Sequence, residues 1–184
     1  MRHVIFAAAI AAVSAPVAAQ DHSQHMNAMG AADVAPGAGQ AAFAVIQDTV
    51  ADLMADPDTD WTRVDIDALR EHLVDMDNVT LRSRVEARDL ENGAEFRVMS
   101  GDPDVTASIR RMVSAHAETM TGFDGLQQVF EILPDGAVLR VTGAPEQRDL
   151  IQGLGFFGIL TLGTHHGAHH LAIARGDAPH EHGQ

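Results

Sequence analysis

The spacing of apolar residues predicts two helices in the first part of the chain. Apolar residues recur at steps of three and four from Phe43 to Met54, which is the repeat of a helix that buries one face. Asp56-Pro57-Asp58 ends this helix, and Asp65 is a suitable N-cap for the next one. The apolar face of the second helix carries Ile66, Leu69, Leu73 and Met76. We expect the second helix to stop at Asp77-Asn78.

From Val79 the apolar period changes to two, which is typical of strands. Alternation through Val85, a turn at Glu91-Asn92-Gly93 and a returning run to Val98 predict a β-hairpin. Gly101-Asp102-Pro103 then begins a third helix. Its apolar stripe carries Val105, Ile109, Met112, Val113, His116 and Met120.

A second hairpin and a fourth helix follow in the same order. The hairpin runs from Leu126 to Thr142 with its turn at Pro134-Asp135-Gly136, and Gly143-Ala144-Pro145 begins a helical segment toward Leu162. Hairpin, Gly-x-Pro and helix therefore occur twice, which we interpret as a duplication. The predicted fold class is α+β: a duplicated hairpin-helix unit forms a four-stranded antiparallel sheet, with helices on one face and two further helices before it.

Composition divides the chain into four segments. Residues 1–19 combine a basic start, a short apolar stretch and small residues, as in a secretory signal peptide, which predicts a periplasmic or otherwise exported protein. Residues 20–40 lack periodicity and are interpreted as a mobile arm. A single α+β metal-binding domain spans 41–176, and 177–184 form a flexible tail. The apolar runs are too short to cross a bilayer, so no membrane insertion is expected.

Charge and cysteine content narrow the function further. The formal charge is -14, and all the basic residues are arginines, which argues against nucleic acid and anionic lipid as partners. A solvated acidic surface explains the same charge. There is no cysteine, so disulfides and thiolate metal sites are excluded and any soft ligand is methionine.

Two His/Met pairs are the first candidate ligands. His72 and Met76 are four residues apart on the second helix, and His116 and Met120 are four apart on the third. Residues at this spacing share a helix face, and each pair precedes a predicted hairpin at an equivalent point of the repeat. Imidazole with thioether sulfur favours copper over zinc. The alternative is that all four residues are ordinary core residues.

A histidine cluster near the C-terminus is the second candidate. In a helix, His165 and His169 share one face, and His166 and His170 share the next, which gives two chelating pairs. Continuing the apolar stripe of the fourth helix predicts that the first pair faces the interior and the second faces solvent. The glycines in this region predict either a break near Gly163 or close packing of the helix. A solvent-facing cluster without a ligand role is the alternative.

The arm carries a third set of candidate ligands, in Asp21-His22-Ser23-Gln24-His25-Met26-Asn27-Ala28-Met29. This stretch resembles the Asp-His-Ser-x-Met-x-x-Met repeats of periplasmic copper-resistance multicopper oxidases. The resemblance covers about nine residues. It implies a copper-resistance setting and implies nothing about the fold or about oxidase activity. The arm ligands are His22, His25, Met26 and Met29.

These features predict an exported protein that buffers, sequesters or delivers copper. Sulfur would hold Cu(I) and imidazole would also accept Cu(II), and another periplasmic copper protein or an exporter would exchange the ion. We expect His165 and His169 to complete one site with the two His/Met pairs. The alternatives are a copper-dependent redox enzyme, which needs an open coordination position, and a non-covalent haem protein with His/Met ligation. No phosphate loop, nucleophile elbow or His-Glu-x-x-His motif is present.

Overall fold

The structure, a computed structural model, describes residues 38–163 and 166–177. No helix among these residues has both the length and the apolar character needed to cross a membrane. The helices and strands of this part are α1 (Ala38–Ala55), α2 (Ile66–Arg82), β1 (Arg84–Leu90), β2 (Gly93–Met99), α3 (Pro103–Met120), β3 (Gln127–Leu133), β4 (Gly136–Thr142), α4 (Arg148–Leu160) and α5 (His166–Ala174).

Local capping explains where α2 and α3 begin. Asp65 accepts a hydrogen bond from the backbone N–H of Ala68 at 2.9 Å, so it satisfies one of the first free donors of α2. Asp102 does the same for α3 by accepting from Asp104 N at 2.9 Å, and Pro103 follows it at a position that needs no donor. Both N-termini therefore lie where the sequence predicts them.

The end of α2 differs from the prediction. The helix continues through Asp77-Asn78 to Arg82, so the first strand begins at Arg84 and not at Val79. The buried Asn78 side chain donates to Ser108 of α3 at 3.0 Å and accepts from Arg82 at 2.8 Å. A turn-forming residue is thus kept inside a helix because a neighbouring helix satisfies its amide group.

The four strands form one antiparallel sheet in the order β1-β2-β4-β3, and helices pack against it, as predicted. The two hairpins join through β2 and β4, where Phe96 pairs with Leu139 at the centre of the register. Residues at equal distances in sequence from this pair face each other on the two strands, so a pseudo-two-fold axis through the pair relates β2 to β4. Their sequences, GAEFRVM and GAVLRVT, agree at four of seven positions.

Two glycines show how closely this symmetry is kept. A Cβ atom on Gly93 would lie 2.0 Å from the carbonyl oxygen of Val141, and one on Gly136 would lie 2.0 Å from that of Val98. Val98 and Val141 hold equivalent places in the repeat. Only glycine fits either position, because the opposing atom belongs to the backbone of the central strand pair.

The main core lies between the helices and one face of the sheet. It contains Val79, Ala94, Phe96, Val98, Val105, Ile109, Val113, Ala117, Leu126, Ala137, Leu139, Val141, Ile151, Phe156 and Ile159. The opposite face carries charged side chains, where Glu95 accepts hydrogen bonds from Arg88 and Arg140. This division fits an antiparallel sheet with one buried and one solvated face.

A second cluster of apolar residues lies between α1, α2 and α5. Leu53, Leu69, Leu73 and Ala174 are buried there, and Met76, Leu171 and Ile173 pack against them. The helix period identified α1 correctly, but it placed Phe43 and Met54 on the inner face. Both are exposed, at 75% and 71%. Within residues 38–163 and 166–177, α1 packs mainly against α2 and α5, so its buried face is narrower than the apolar pattern predicts.

The fourth helical segment is interrupted as one of the two glycine interpretations predicted. Gly155 and Gly163 adopt positive φ values of 60° and 89°, which glycine tolerates because it has no Cβ. The helix α4 ends at Leu160, and α5 begins at His166. The histidine-rich segment therefore belongs to a separate helix that packs against α1 and α2.

Candidate metal centre

Three histidines from α2 and α5 lie together in the structure. The ring centroid of His72 is 4.8 Å from that of His169 and 5.5 Å from that of His170. The centroids of His169 and His170 are 6.2 Å apart. We call these three residues the histidine cluster.

The spacing of the rings is compatible with a shared ion. Two imidazoles that bind one ion through nitrogens at about 2 Å have ring centroids about 5 Å apart in tetrahedral geometry and somewhat further apart at wider angles. All three distances in the histidine cluster fall near that value. The distances between the ring centroids therefore match those of imidazoles on a shared ion.

His72 lies on the part of α2 where Leu69 and Leu73 are buried in the second apolar cluster. Met76, one turn further along α2, packs on the second cluster, whereas Val79, two turns along, is buried in the main core. This position explains why one histidine on an amphipathic helix faces α5. It also places the thioether of Met76 on the same helix face as His72.

The side of α5 that faces inward differs from the prediction. His170 is only 6% exposed and its Nε2 atom is buried, so the expectation that it faces solvent was wrong. His169, predicted to face inward, is half-buried. The prediction carried the helical phase of α4 across Gly163, but α4 ends at Leu160 and α5 is a separate helix, so that phase does not apply to α5.

The two His/Met pairs do not occupy equivalent places in the fold. The sheet symmetry relates α3, which packs on β3 and β4, to α4, which packs on β1 and β2. The helix α2 lies outside this layer, against α3. Each His/Met pair thus precedes a hairpin in the sequence, but the pseudo-two-fold axis of the sheet does not relate one pair to the other. Met120 is 6% exposed at the end of α3, and His116, one turn earlier, has a buried Nε2.

Several predicted ligands lie outside the described residues. These are His165 and the arm residues His22, His25, Met26 and Met29. His166 is the first residue of α5. The prediction that His165 joins His116 in a shared site therefore stays a prediction.

A polar network beside the histidine cluster fixes α2 against α3. The carboxylate of Asp75, with a side chain 14% exposed, accepts hydrogen bonds from Ser108 at 2.7 Å and from Arg111 at 2.6 and 2.8 Å. Burial raises the pKa of Asp75, but the hydrogen bonds from Arg111 and Ser108 outweigh it and hold the pKa below its ordinary value. Positive charge on His72 acts in the same direction.

Sequence reasoning passed over Asp75, although its position offers a signal. It lies three residues after His72 on an amphipathic helix, so it shares part of the same face. Its place in the structure makes it an anchor for α2, and thus for His72.

No group of three or more histidine, aspartate or glutamate side chains within residues 38–163 and 166–177 is arranged to hold a metal ion. That finding concerns neither methionine sulfur nor His165. The histidine cluster, although its rings are close together, is not such a group. A bound ion would therefore require the imidazoles to turn.

Comparison of the chain with protein-family models, with curated proteins and with solved structures finds no significant match.

Proposed function

We propose that this protein is an exported copper carrier or buffer whose ordered site is centred on the histidine cluster. The observation that carries this proposal is the approach of His72 from α2 to His169 and His170 from α5, with ring centroids 4.8 to 6.2 Å apart. His170 is buried and His72 and His169 are half-buried, so the histidine cluster lies at the interface between α2 and α5.

The surroundings of the cluster favour copper among the metals that imidazole binds. The chain has no cysteine, and the carboxylate nearest in sequence to His72 on the same face, Asp75, is engaged by Arg111 and Ser108. Met76 supplies a thioether one turn from His72, and thioether sulfur selects Cu(I). Imidazole keeps affinity for Cu(II), so the same site tolerates both oxidation states.

The predicted arm, residues 20–40, supports a role in copper handling. Its His22, His25, Met26 and Met29 repeat the same donor types in a segment without helical periodicity. In our proposal the arm collects copper at lower affinity and the histidine cluster holds it. Export to the periplasm, predicted from residues 1–19, places the protein where such a carrier exchanges copper with another protein or an exporter.

The decisive experiment is competition for Cu(I) between the full mature chain and a chromophoric Cu(I) chelator. We expect His72→Ala and His169→Ala each to weaken the tightest site at least about tenfold, since each removes one ligand. The matched control is Glu71→Ala, which removes an exposed side chain of α2 next to His72. This control should leave the affinity unchanged.

Two further measurements make the result interpretable. Circular dichroism and the unfolding midpoint of the metal-free variants report whether the fold survives. A folded His72→Ala/His169→Ala double variant with wild-type Cu(I) affinity would return the histidine cluster to a structural role. Tighter binding of Zn(II) than of either copper ion would keep the site and reject the copper assignment.

A further inference from the structure

The two outer strands of the sheet are related by the pseudo-two-fold axis but differ in chemistry. The strand order makes β1 and β3 the edges, and the pairing makes residues 84–90 of β1 equivalent to residues 127–133 of β3. On β1, Glu86 is exposed, and Asp89 pairs with Ala94 of the main core, so its carboxylate lies on the helix side of the sheet. Charges along an edge, above all a charge that points inward, oppose pairing with another strand.

The edge β3 has no such protection against pairing. Where β1 has Glu86 and Asp89, β3 has Val129 and Ile132, which are 59% and 46% exposed. Glu131 is the only charged residue of this strand. Within residues 38–163 and 166–177, β3 packs mainly against β4 and α3, and no strand pairs with its outer side. An exposed apolar edge of this kind is a template for a further strand.

The hairpin register shows which backbone groups of β3 point outward. Leu133 closes the two-residue turn by a hydrogen-bonded pair with β4, so every second residue back along β3 also bonds to β4. The alternate residues, which include Phe130 and Ile132, direct their N–H and C=O groups to the outer side. Gln128 supports this assignment, because its N–H donates to the Thr121 hydroxyl at 3.1 Å and not to β4.

We propose that β3 is a dimerisation edge, which pairs antiparallel with β3 of a second copy of this chain and joins the two sheets into one. Identical strands that pair antiparallel obey a two-fold axis, so one edge supplies both halves of the contact. With the axis at Phe130, Ile132 lies opposite Gln128 of the second copy. On the solvated face, Val129 lies opposite Glu131 of the second copy, so no like charges face each other. The inference is independent of metal binding.

Two features favour this register and a dimer of modest affinity. An axis at Glu131 would place two like charges opposite each other, which is unfavourable. With the axis at Phe130, the outward N–H groups of Phe130 and Ile132 each meet an outward carbonyl group, while Gln128 keeps its bond to Thr121. A seven-residue edge is about 23 Å long, which is small for a stable interface, so we expect a dissociation constant of about 1–100 µM.

Sedimentation equilibrium of the full mature chain, with a chelator to remove metal, measures this dissociation constant. We expect Val129→Glu to raise it about five- to thirtyfold, because like charges then lie opposite each other twice per dimer. The double variant Val129→Glu/Glu131→Lys places opposite charges at these positions and should return it to within about threefold of wild type. Residue 129 lies opposite Arg140 on β4, so a glutamate there is compatible with the folded monomer.

A variant that copies the chemistry of β1 tests the edge in a second way. Ile132→Asp places on β3 the inward charge that β1 carries at Asp89, and it should prevent dimerisation up to about 300 µM because pairing would bury the carboxylate. The matched control is Ala87→Glu, which adds one negative charge to the exposed centre of β1. It should leave the dissociation constant within about twofold of wild type, because solvent and salt screen a distant charge. Circular dichroism and the unfolding midpoint report whether each variant folds.

The outcomes decide between a second copy and other occupants of the edge. Dimerisation that Val129→Glu weakens and the double variant restores supports the proposal. A wild-type chain that stays monomeric at about 300 µM overturns it, even if the β3 amides resist hydrogen exchange, since another segment of the same chain then covers the edge. A dimer that neither Val129→Glu nor Ile132→Asp weakens also overturns it, because another surface then forms the contact. A double variant as weak as Val129→Glu overturns the register on which the proposal is built.

Discussion

Replacement of Asp75 by asparagine tests the network that fixes α2, and with it His72, against α3. The carboxylate accepts three hydrogen bonds from Ser108 and Arg111. Asparagine keeps the shape of the side chain but replaces one acceptor oxygen by an NH2 group. Because all three contacts come from donors, that NH2 group has no acceptor and faces a donor instead.

The size of the effect follows from the burial of the two partners. Hydrogen bonds to a charged group contribute about 1.5–3 kcal/mol each when buried. Asp75 is 14% exposed, but Arg111 is 55% exposed, so solvent screens its share of the interaction. We expect Asp75→Asn to lower the free energy of unfolding by about 2 kcal/mol at pH 7. For a chain of this length, that loss lowers the unfolding midpoint by about 4–8 °C.

The pH dependence of the loss has a defined sign. The folded-state pKa of Asp75 is depressed, so its contribution is fully present above the unfolded-state pKa of about 3.9 and is lost as the pH falls through the folded-state value. The difference in unfolding free energy between wild type and Asp75→Asn should be present at pH 7 and should shrink below about pH 4.

Asp77 on the same helix provides a control of opposite sign. Burial raises its pKa, so its charged form destabilises the fold as the pH rises through the folded-state value. Asp77→Asn should therefore be at least as stable as wild type at pH 7. Urea unfolding of metal-free protein in the presence of a chelator measures all three proteins between pH 3 and 7.5. Equal stability of Asp75→Asn and wild type at pH 7, or a deficit that grows below pH 4, would falsify this account of the network.

Three other predictions concern the repeat, the soft ligand and the arm. Gly93→Ala and Gly136→Ala should each lower the free energy of unfolding by about 1–3 kcal/mol, because each new Cβ meets a backbone oxygen, and the loss should be larger at Gly136, where φ is positive. Gly153→Ala, on the exposed face of α4 with open space around it, should instead stabilise by about 0.5–1 kcal/mol, and a stabilising effect of either strand substitution in urea titrations would contradict this account. Met76→Leu should weaken Cu(I) in chelator competition while leaving the metal-free unfolding midpoint unchanged; unchanged affinity would make this residue a packing residue. Deletion of residues 20–37, which ends just before α1, should reduce the number of copper ions bound per chain, and a large drop in metal-free stability would instead make the arm part of the fold.

Local sequence signals determined most of the fold. The N-caps Asp65 and Asp102 and the turns at Glu91-Asn92 and Pro134-Asp135 act over a few residues, so they can be read without knowing the neighbours. The change of period from helix to strand and its repetition predicted the four-stranded antiparallel sheet with helices packed against it. The histidines that could bind a metal were also evident as a cluster of one residue type.

Only the tertiary structure decided which of these residues meet. The helix α2 runs past Asn78 because Ser108, thirty residues away, satisfies the buried amide. His170 is buried because α5 is a separate helix that packs against α1 and α2, so the phase of α4 does not apply to it. The helix α2 packs outside the layer of α3 and α4 that the pseudo-two-fold axis relates. His72 therefore faces α5 and does not occupy a place equivalent to that of His116. In each case the outcome depends on contacts between distant segments, and periodicity within one segment carries no information about them.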